Sequence, residues 1–390
     1  MKPKDLGPAY LPKVRECTNF VTWNVKKIAR DVGPRPAGGE TVRTGAQIVL
    51  PQIENSADEK KTVCVALREK AETSDCAVLG ALLIVVCLLL FLGQAIPAIA
   101  VSCVGALLTC LGRFAHVNVF SFLGKAREGE DTVLTRAAAG DVKKRVIFIG
   151  GLDSSRELRW NEILGPKGSS VIGIYALIGF VAGAALGAVA LVSGEKALFA
   201  PGEWYRWIMF AFLPCAAALF VFENAKQPSP GVISNLTGAL TGAAVLKFLG
   251  DNNVRFENTE VVCVLTDGRY AGCAGAKAYF SEAKSDAKTL VVAFDSLCDP
   301  RGVNLTGSMA AMARQAAEAA EVPILHEKYT LGVFEAAAGA KRGFDTVTIY
   351  APGDCKYYRT RGDELKLLQP KSVEQALHTA VELCCMFDEA

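Results

Sequence analysis

From Cys76 to Gly112 the chain runs for 37 residues without a charged side chain. A helix needs about 20 mostly apolar residues to cross the hydrocarbon core of a bilayer. One straight helix of this length would overshoot, and two short ones fit. Gly93, Gln94 and Pro97 interrupt the run near its middle and mark the turn between them. A second block repeats the pattern. Val171 to Val192 is uncharged and rich in glycine and alanine, and Trp207 to Phe222 is apolar behind Trp204 and Tyr205. Aromatics so placed read as an interfacial belt. The polar loop Ser193 to Glu203 separates the two parts. The expectation is two transmembrane helical hairpins, with the lipid bilayer as a partner and a multi-pass position in a cell membrane.

Two hairpins leave every long polar segment on one side. The order expected is a soluble part at 1–75, a hairpin at 76–112, a soluble part at 113–170, a hairpin at 171–222 and a soluble part at 223–390. Arg68, Lys70, Arg113, Lys125, Arg127 and Lys226 flank the apolar blocks, whereas the 193–203 loop has Lys196 against two glutamates. The positive-inside rule then places the soluble mass in the cytoplasm. Reduced cysteines agree: the 13 are scattered, with no CxxC and no zinc spacing. A net charge of +2 and the lack of a basic stripe exclude nucleic acid as a partner.

Short β-branched runs in the soluble parts read as buried strands: Thr62–Leu67, Arg145–Gly150, Glu260–Leu265, Thr289–Phe294 and Thr346–Tyr350. Helical patterns lie at Asn19–Asp31, Glu40–Ile53, Ser234–Leu249, Ala274–Ala283, Thr306–Ala320 and Ser372–Phe387. Such alternation predicts an α/β fold with a mostly parallel sheet. Sites in these folds sit beyond the carboxyl ends of the strands. Here those ends carry Gly151-Leu152-Asp153-Ser154, Thr266-Asp267-Gly268-Arg269-Tyr270 and Asp295-Ser296.

At these residues the chain resembles the M28 zinc aminopeptidases, nearest a bacterial branch with transmembrane insertions. The resemblance runs through Val32-Gly33-Pro34-Arg35-Pro36-Ala37-Gly38, Ser229-Pro230-Gly231, Asn235-Leu236-Thr237-Gly238, Ala271-Gly272-Cys273-Ala274-Gly275-Ala276-Lys277-Ala278 and Tyr357-Tyr358-Arg359-Thr360-Arg361-Gly362-Asp363. It implies a zinc-aminopeptidase type of sheet, two zinc ions with a bridging carboxylate, and a glutamate as general base. Carried over residue by residue, it puts the first histidine ligand on Gly151, the bridging aspartate on Ser234, the Glu-Glu pair on Arg269 and Tyr270, and the last histidine on Arg359. Asp153 and Asp295 are kept, and the acidic residue of a later loop falls on Glu335. Asp295 is thus the one retained metal-ligand position. Arginine does not ligate zinc and repels it.

The resemblance therefore implies a degenerate site: no catalytic residue, no bound metal and no cofactor. Two guanidinium groups would stand where the metals were, paired with Asp295, Asp153 and Glu335. The expected function is a membrane-embedded M28 peptidase-like protein without hydrolytic activity, a binding or scaffold protein whose partner is a membrane protein or a peptide terminus. The alternative is an active membrane metallo-aminopeptidase whose zinc or other metal is held by oxygens, with Asp267 moved into the shell. A transporter is disfavoured, because the apolar blocks contain no intramembrane charge. His116, His326 and His378 read as surface or packing residues. The Gly179-x-x-x-Gly183-x-x-x-Gly187 series predicts close helix contacts.

Overall fold

The computed structural model describes residues 7–68, 74–114, 119–120, 125–165, 168–194, 204–221, 223–283, 286–327, 335–353 and 355–390. His116 and most of the 193–203 loop lie outside them. In chain order the first elements are α1 (Tyr10–Asp31), α2 (Glu40–Ile53), β1 (Glu59–Arg68), α3 (Ser74–Phe91), α4 (Ala95–Phe114), β2 (Ala126–Arg136) and β3 (Lys144–Gly151). Then come β4 (Arg156–Leu158), α5 (Arg159–Leu164), α6 (Gly168–Val192), α7 (Leu213–Val221), β5 (Glu223–Pro228) and α8 (Thr237–Asp251). The chain continues with β6 (Thr259–Thr266), α9 (Ala274–Glu282), β7 (Lys288–Asp295), β8 (Asn304–Thr306), α10 (Ala310–Ala319), α11 (Glu335–Ala340), β9 (Asp345–Tyr350) and α12 (Pro370–Glu389). They fall into two compact units: residues 1–67, 126–155 and 228–390, and residues 68–125 and 156–227.

The first unit is built on a seven-stranded sheet in the order β1-β2-β6-β3-β7-β9-β8. Its centre, β6-β3-β7-β9, is parallel, but β2 runs antiparallel to β6 and β8 antiparallel to β9. The expectation of a mostly parallel sheet is corrected: the sheet is mixed. The reason lies in the signal used. Strands buried on both faces show as continuous apolar runs, and the four parallel strands are of that kind. The flanking β1 alternates between exposed and buried over Val65–Arg68, and β2 is exposed over its first three residues. β1 shows only as the short run Thr62–Leu67, and β2 does not show as an apolar run.

Alternate residues of the central strands feed two cores. Val146, Phe148, Val261, Cys263, Leu290, Val292 and Phe294 pack beneath α1, α8 and α12. Ile147, Ile149, Val262, Val264 and Val291 pack with Ala276 and Phe280 of α9 and Ala336 and Ala338 of α11. On α1 the buried residues Val14, Cys17, Val21, Val25 and Ile28 recur at helical spacing and form its core face. Close approach of α8 to the sheet depends on small residues. A Cβ at Gly238 would stand 2.5 Å from the Phe294 carbonyl oxygen, and one at Gly150 2.6 Å from Ala239 Cα.

The second unit holds the apolar helices. Helix α3 ends in a Schellman turn: Gly93 has φ 73°, and the N–H groups of Gln94 and Gly93 donate to Leu89 O at 2.8 Å and Leu90 O at 3.2 Å. This places the hairpin turn at the Gly93-Gln94 break in the apolar run. Three described helical stretches are long and apolar enough to cross a membrane: Ala95–Gly112, Ser170–Val192 and Val232–Asp251. The first two windows are 28% and 33% buried, whereas the third is 94% buried, because it contains α8, the central core helix of the first unit. Cys76–Phe91 and Trp207–Phe220 are apolar but shorter. Among the described residues, each expected hairpin holds one helix of spanning length beside a shorter apolar one.

Candidate functional site

Four segments meet beyond the carboxyl ends of the parallel strands in the first unit. From β3 come Gly151 and Asp153, from β6 Arg269 and Tyr270, from β7 Asp295, and from the π-helical turn before α8 Ser234 and Asn235. Glu335, the first residue of α11, joins them. At the centre is Arg269, 2% exposed. Its Nη2 lies 3.3 Å from Asp295 Oδ1, its Nε lies 3.5 Å from Glu335 Oε1, and its Nη1 donates to Asn235 Oδ1 at 2.9 Å. Glu335 Oε1 also accepts the N–H of Gly151 at 3.2 Å.

Asp153 does a different job. Its carboxylate accepts the backbone N–H groups of Arg269 at 3.1 Å and Tyr270 at 3.2 Å, and its backbone carbonyl accepts the Asn235 amide. It fixes the loop after β6 so that Arg269 points at Asp295. The Tyr270 hydroxyl donates to Ser234 O at 2.9 Å. The Arg359 guanidinium lies 4.5 Å over the Tyr270 ring, a cation–π contact. Asp363 accepts the N–H groups of Ile233 at 2.7 Å and Ser234 at 3.2 Å, and so holds the turn that carries Ser234.

Burial governs the electrostatics. It pushes the Asp295 carboxyl up to about 7 against the pull of Arg269, and Asp153 up to about 6 against its backbone hydrogen bonds. Burial lowers Arg359 to about 9. Three non-glycine residues with left-handed backbone flank these groups: Cys273 (φ 55°), Ser296 (φ 50°) and Arg359 (φ 58°). Each costs of order 1 kcal/mol and persists only where the surroundings impose it.

The structure brings together Gly151, Asp153, Ser234, Arg269, Tyr270, Asp295 and Glu335. It does not bring in Asp267. That carboxylate accepts the Gly38 N–H at 3.0 and 3.2 Å, while Asp131 Oδ1 accepts the Asp267 N–H at 2.7 Å. Asn235 carries a bridging role that residue type alone does not reveal; its only sequence signal is its place in the family motif. Arg35 was visible only as part of a motif. Buried, it donates to the carbonyls of Leu152, Gly33, Pro230 and Gly231 at 2.6–3.2 Å, stitching together three loops around the site. His326 is exposed, and the His378 ring lies 5.0 Å from the Tyr10 ring at a tilted angle.

No family model matches the chain, and no curated protein matches it in sequence. Solved structures do match in three dimensions. A glutaminyl cyclase from Fimbriiglobus ruber has a TM-score of 0.54 at 11% identity, covering 95% of both chains. The zinc aminopeptidase BSAP of Bacillus subtilis has a TM-score of 0.53 at 10% identity, covering 94% of both. A Zn-dependent exopeptidase from Parabacteroides distasonis has a TM-score of 0.54 at 9% identity, covering 94% of this chain and 96% of its own. The fold is the one these enzymes share. At such identities the likeness concerns the backbone.

These matches correct one expectation. The chain was expected to carry no cofactor, but the zinc-aminopeptidase fold houses zinc enzymes among its solved examples. The donors at Arg269 do not by themselves fit a metal centre. Among the described residues no group of three or more His, Cys, Asp or Glu side chains could hold an ion, and Asp295 and Glu335 face a guanidinium.

Proposed function

We propose that this chain is a membrane-embedded protein of zinc-aminopeptidase fold that binds or scaffolds partners without hydrolysing peptides. One observation carries the reading. The buried Arg269 guanidinium occupies the convergence of the strand ends, paired with Asp295 and Glu335 and hydrogen-bonded to Asn235. Hydrolysis needs a base free to take a proton and a polarised water beside the scissile bond. Here the two carboxylates are engaged by a permanent cation. The residues at the positions of the family's Glu-Glu pair are Arg269 itself and Tyr270, whose hydroxyl is spent on a backbone carbonyl.

Membrane residence is supported by the second unit. Leu88, Ile96, Leu107 and Val181 are each more than half exposed on its helices. Apolar surface of this extent is costly in water and at home in lipid. The orientation with the first unit in the cytoplasm rests on the flanking Lys and Arg residues. The partner class is a membrane protein or a peptide terminus.

Two measurements test the proposal. Alkaline carbonate extraction of membranes should leave the full chain in the pellet, and release into the supernatant contradicts the membrane part. Incubation of the chain in nanodiscs with unblocked tetrapeptides should return every peptide at its intact mass. Stepwise loss of N-terminal residues contradicts the binding-only part.

A further inference from the structure

We infer that a cavity at the β8 edge of the sheet is a binding site for a small aliphatic carboxylate. The inference does not depend on the proposed function. The cavity measures about 220 Å³ and is lined by Asn304, Arg314, Leu325, His326, Glu327 and Tyr350, among others. Asn304 stands opposite Tyr350, which stands opposite Asp295. Two strand spacings, roughly 10 Å, therefore separate Asn304 from Asp295.

Asn304 is the argument. It is 1% exposed. Its Oδ1 accepts the Glu327 N–H at 2.9 Å, which fixes which way the amide is turned. Nδ2 is left buried with no hydrogen-bond partner among the described residues. A buried N–H without an acceptor costs about 1–3 kcal/mol. A carboxylate in that situation could take up a proton, but a carboxamide has no such escape. The cavity beside Nδ2 has room for an oxygen acceptor brought from outside.

The surroundings say which kind. Arg314 on α10 and His326 add donors at the rim. The single acid, Glu327, is already paired with Arg301 at 2.8 Å, and its carbonyl accepts the Tyr350 hydroxyl at 3.2 Å. The cationic side chain in the lining, Arg314, is a guanidinium, whose fork matches a two-oxygen anion. Leu305, Ile324 and Leu325 supply apolar wall, which favours an aliphatic carboxylate over inorganic phosphate.

The test is calorimetric titration of the full chain in nanodiscs with glutarate, the neutral glutaramide and inorganic phosphate. Glutarate should bind saturably at one site, at least tenfold more tightly than either control. Arg314→Gln, an exposed change, should weaken it at least tenfold. Asn304→Asp, which keeps the acceptor for Glu327 and replaces the donor with a negative charge, should abolish it. Absence of saturable glutarate binding, equal binding of glutaramide, tighter binding of phosphate, or an unaffected Arg314→Gln variant overturns the assignment. If Asn304→Asp fails to fold, the Arg314→Gln comparison decides.

Discussion

A guanidinium in a dry interior is stable only while its partners remain, and Arg269 has two buried carboxylates and an amide. Removing the cation leaves Asp295 and Glu335 as uncompensated buried acids, a change that costs about 3–5 kcal/mol. Arg269→Met should therefore lower the thermal midpoint of the first unit by roughly 10 °C or more. A midpoint within 2 °C of wild type, by about the same scaling, would show that the pairs contribute little. Arg35 makes the same kind of test with carbonyls. Lysine has the charge but not the fork, so Arg35→Lys should destabilise by about 2 kcal/mol through the lost bonds to Leu152, Pro230 and Gly231. At this scale the sequence was informative about place more than about role. Strand-end reasoning and family motifs identified Asp153, Arg269, Asp295 and Glu335. Neither indicates that Asp153 holds backbone amides while Asp295 faces the guanidinium, because identical carboxyls differ only in what the fold puts beside them.

Among the elements, the short β-branched runs located β1 and the four inner strands, and α2 was readable at Glu40–Ile53. It failed where length or environment departed from the pattern. β8 has three residues and α11 six, too short for a period to register. β2 is amphipathic and carries Glu128, Glu130 and Asp131. Helix α8 has the composition of a membrane span yet lies buried in the core of the first unit, and hydropathy does not separate the two. The Gly179, Gly183, Gly187 series faces the chain's own helices. A Cβ at Gly183 would meet Val86 Cγ1 at 2.6 Å and Ser102 Oγ at 2.7 Å. Gly183→Leu should cost about 1–3 kcal/mol by overpacking α6 against α3 and α4. Thermal unfolding in detergent checks this, and Gly173→Leu, where nothing lies within 4 Å, should be neutral.

For the molecule as a whole, buried acids set the response to pH. Burial raises Asp131 to about 7 and Asp267 to about 8, each above its unfolded value. The folded chain then holds protons that the unfolded chain has released. The stability from those neutral forms is complete below the unfolded carboxyl range near 4 and is lost as pH rises towards 8. The midpoint of the first unit should fall between pH 5 and pH 8, and Asp267→Asn should flatten that fall. A midpoint that rises over this range would reverse the sign. The account stands most directly on turnover. Full chain in nanodiscs should release no nitroaniline from aminoacyl nitroanilides above the protein-free blank, with Zn²⁺, Mn²⁺ or Co²⁺ added in turn. Turnover in any of these mixtures that Asp295→Ala abolishes would contradict it, and would make this chain a working enzyme of its fold.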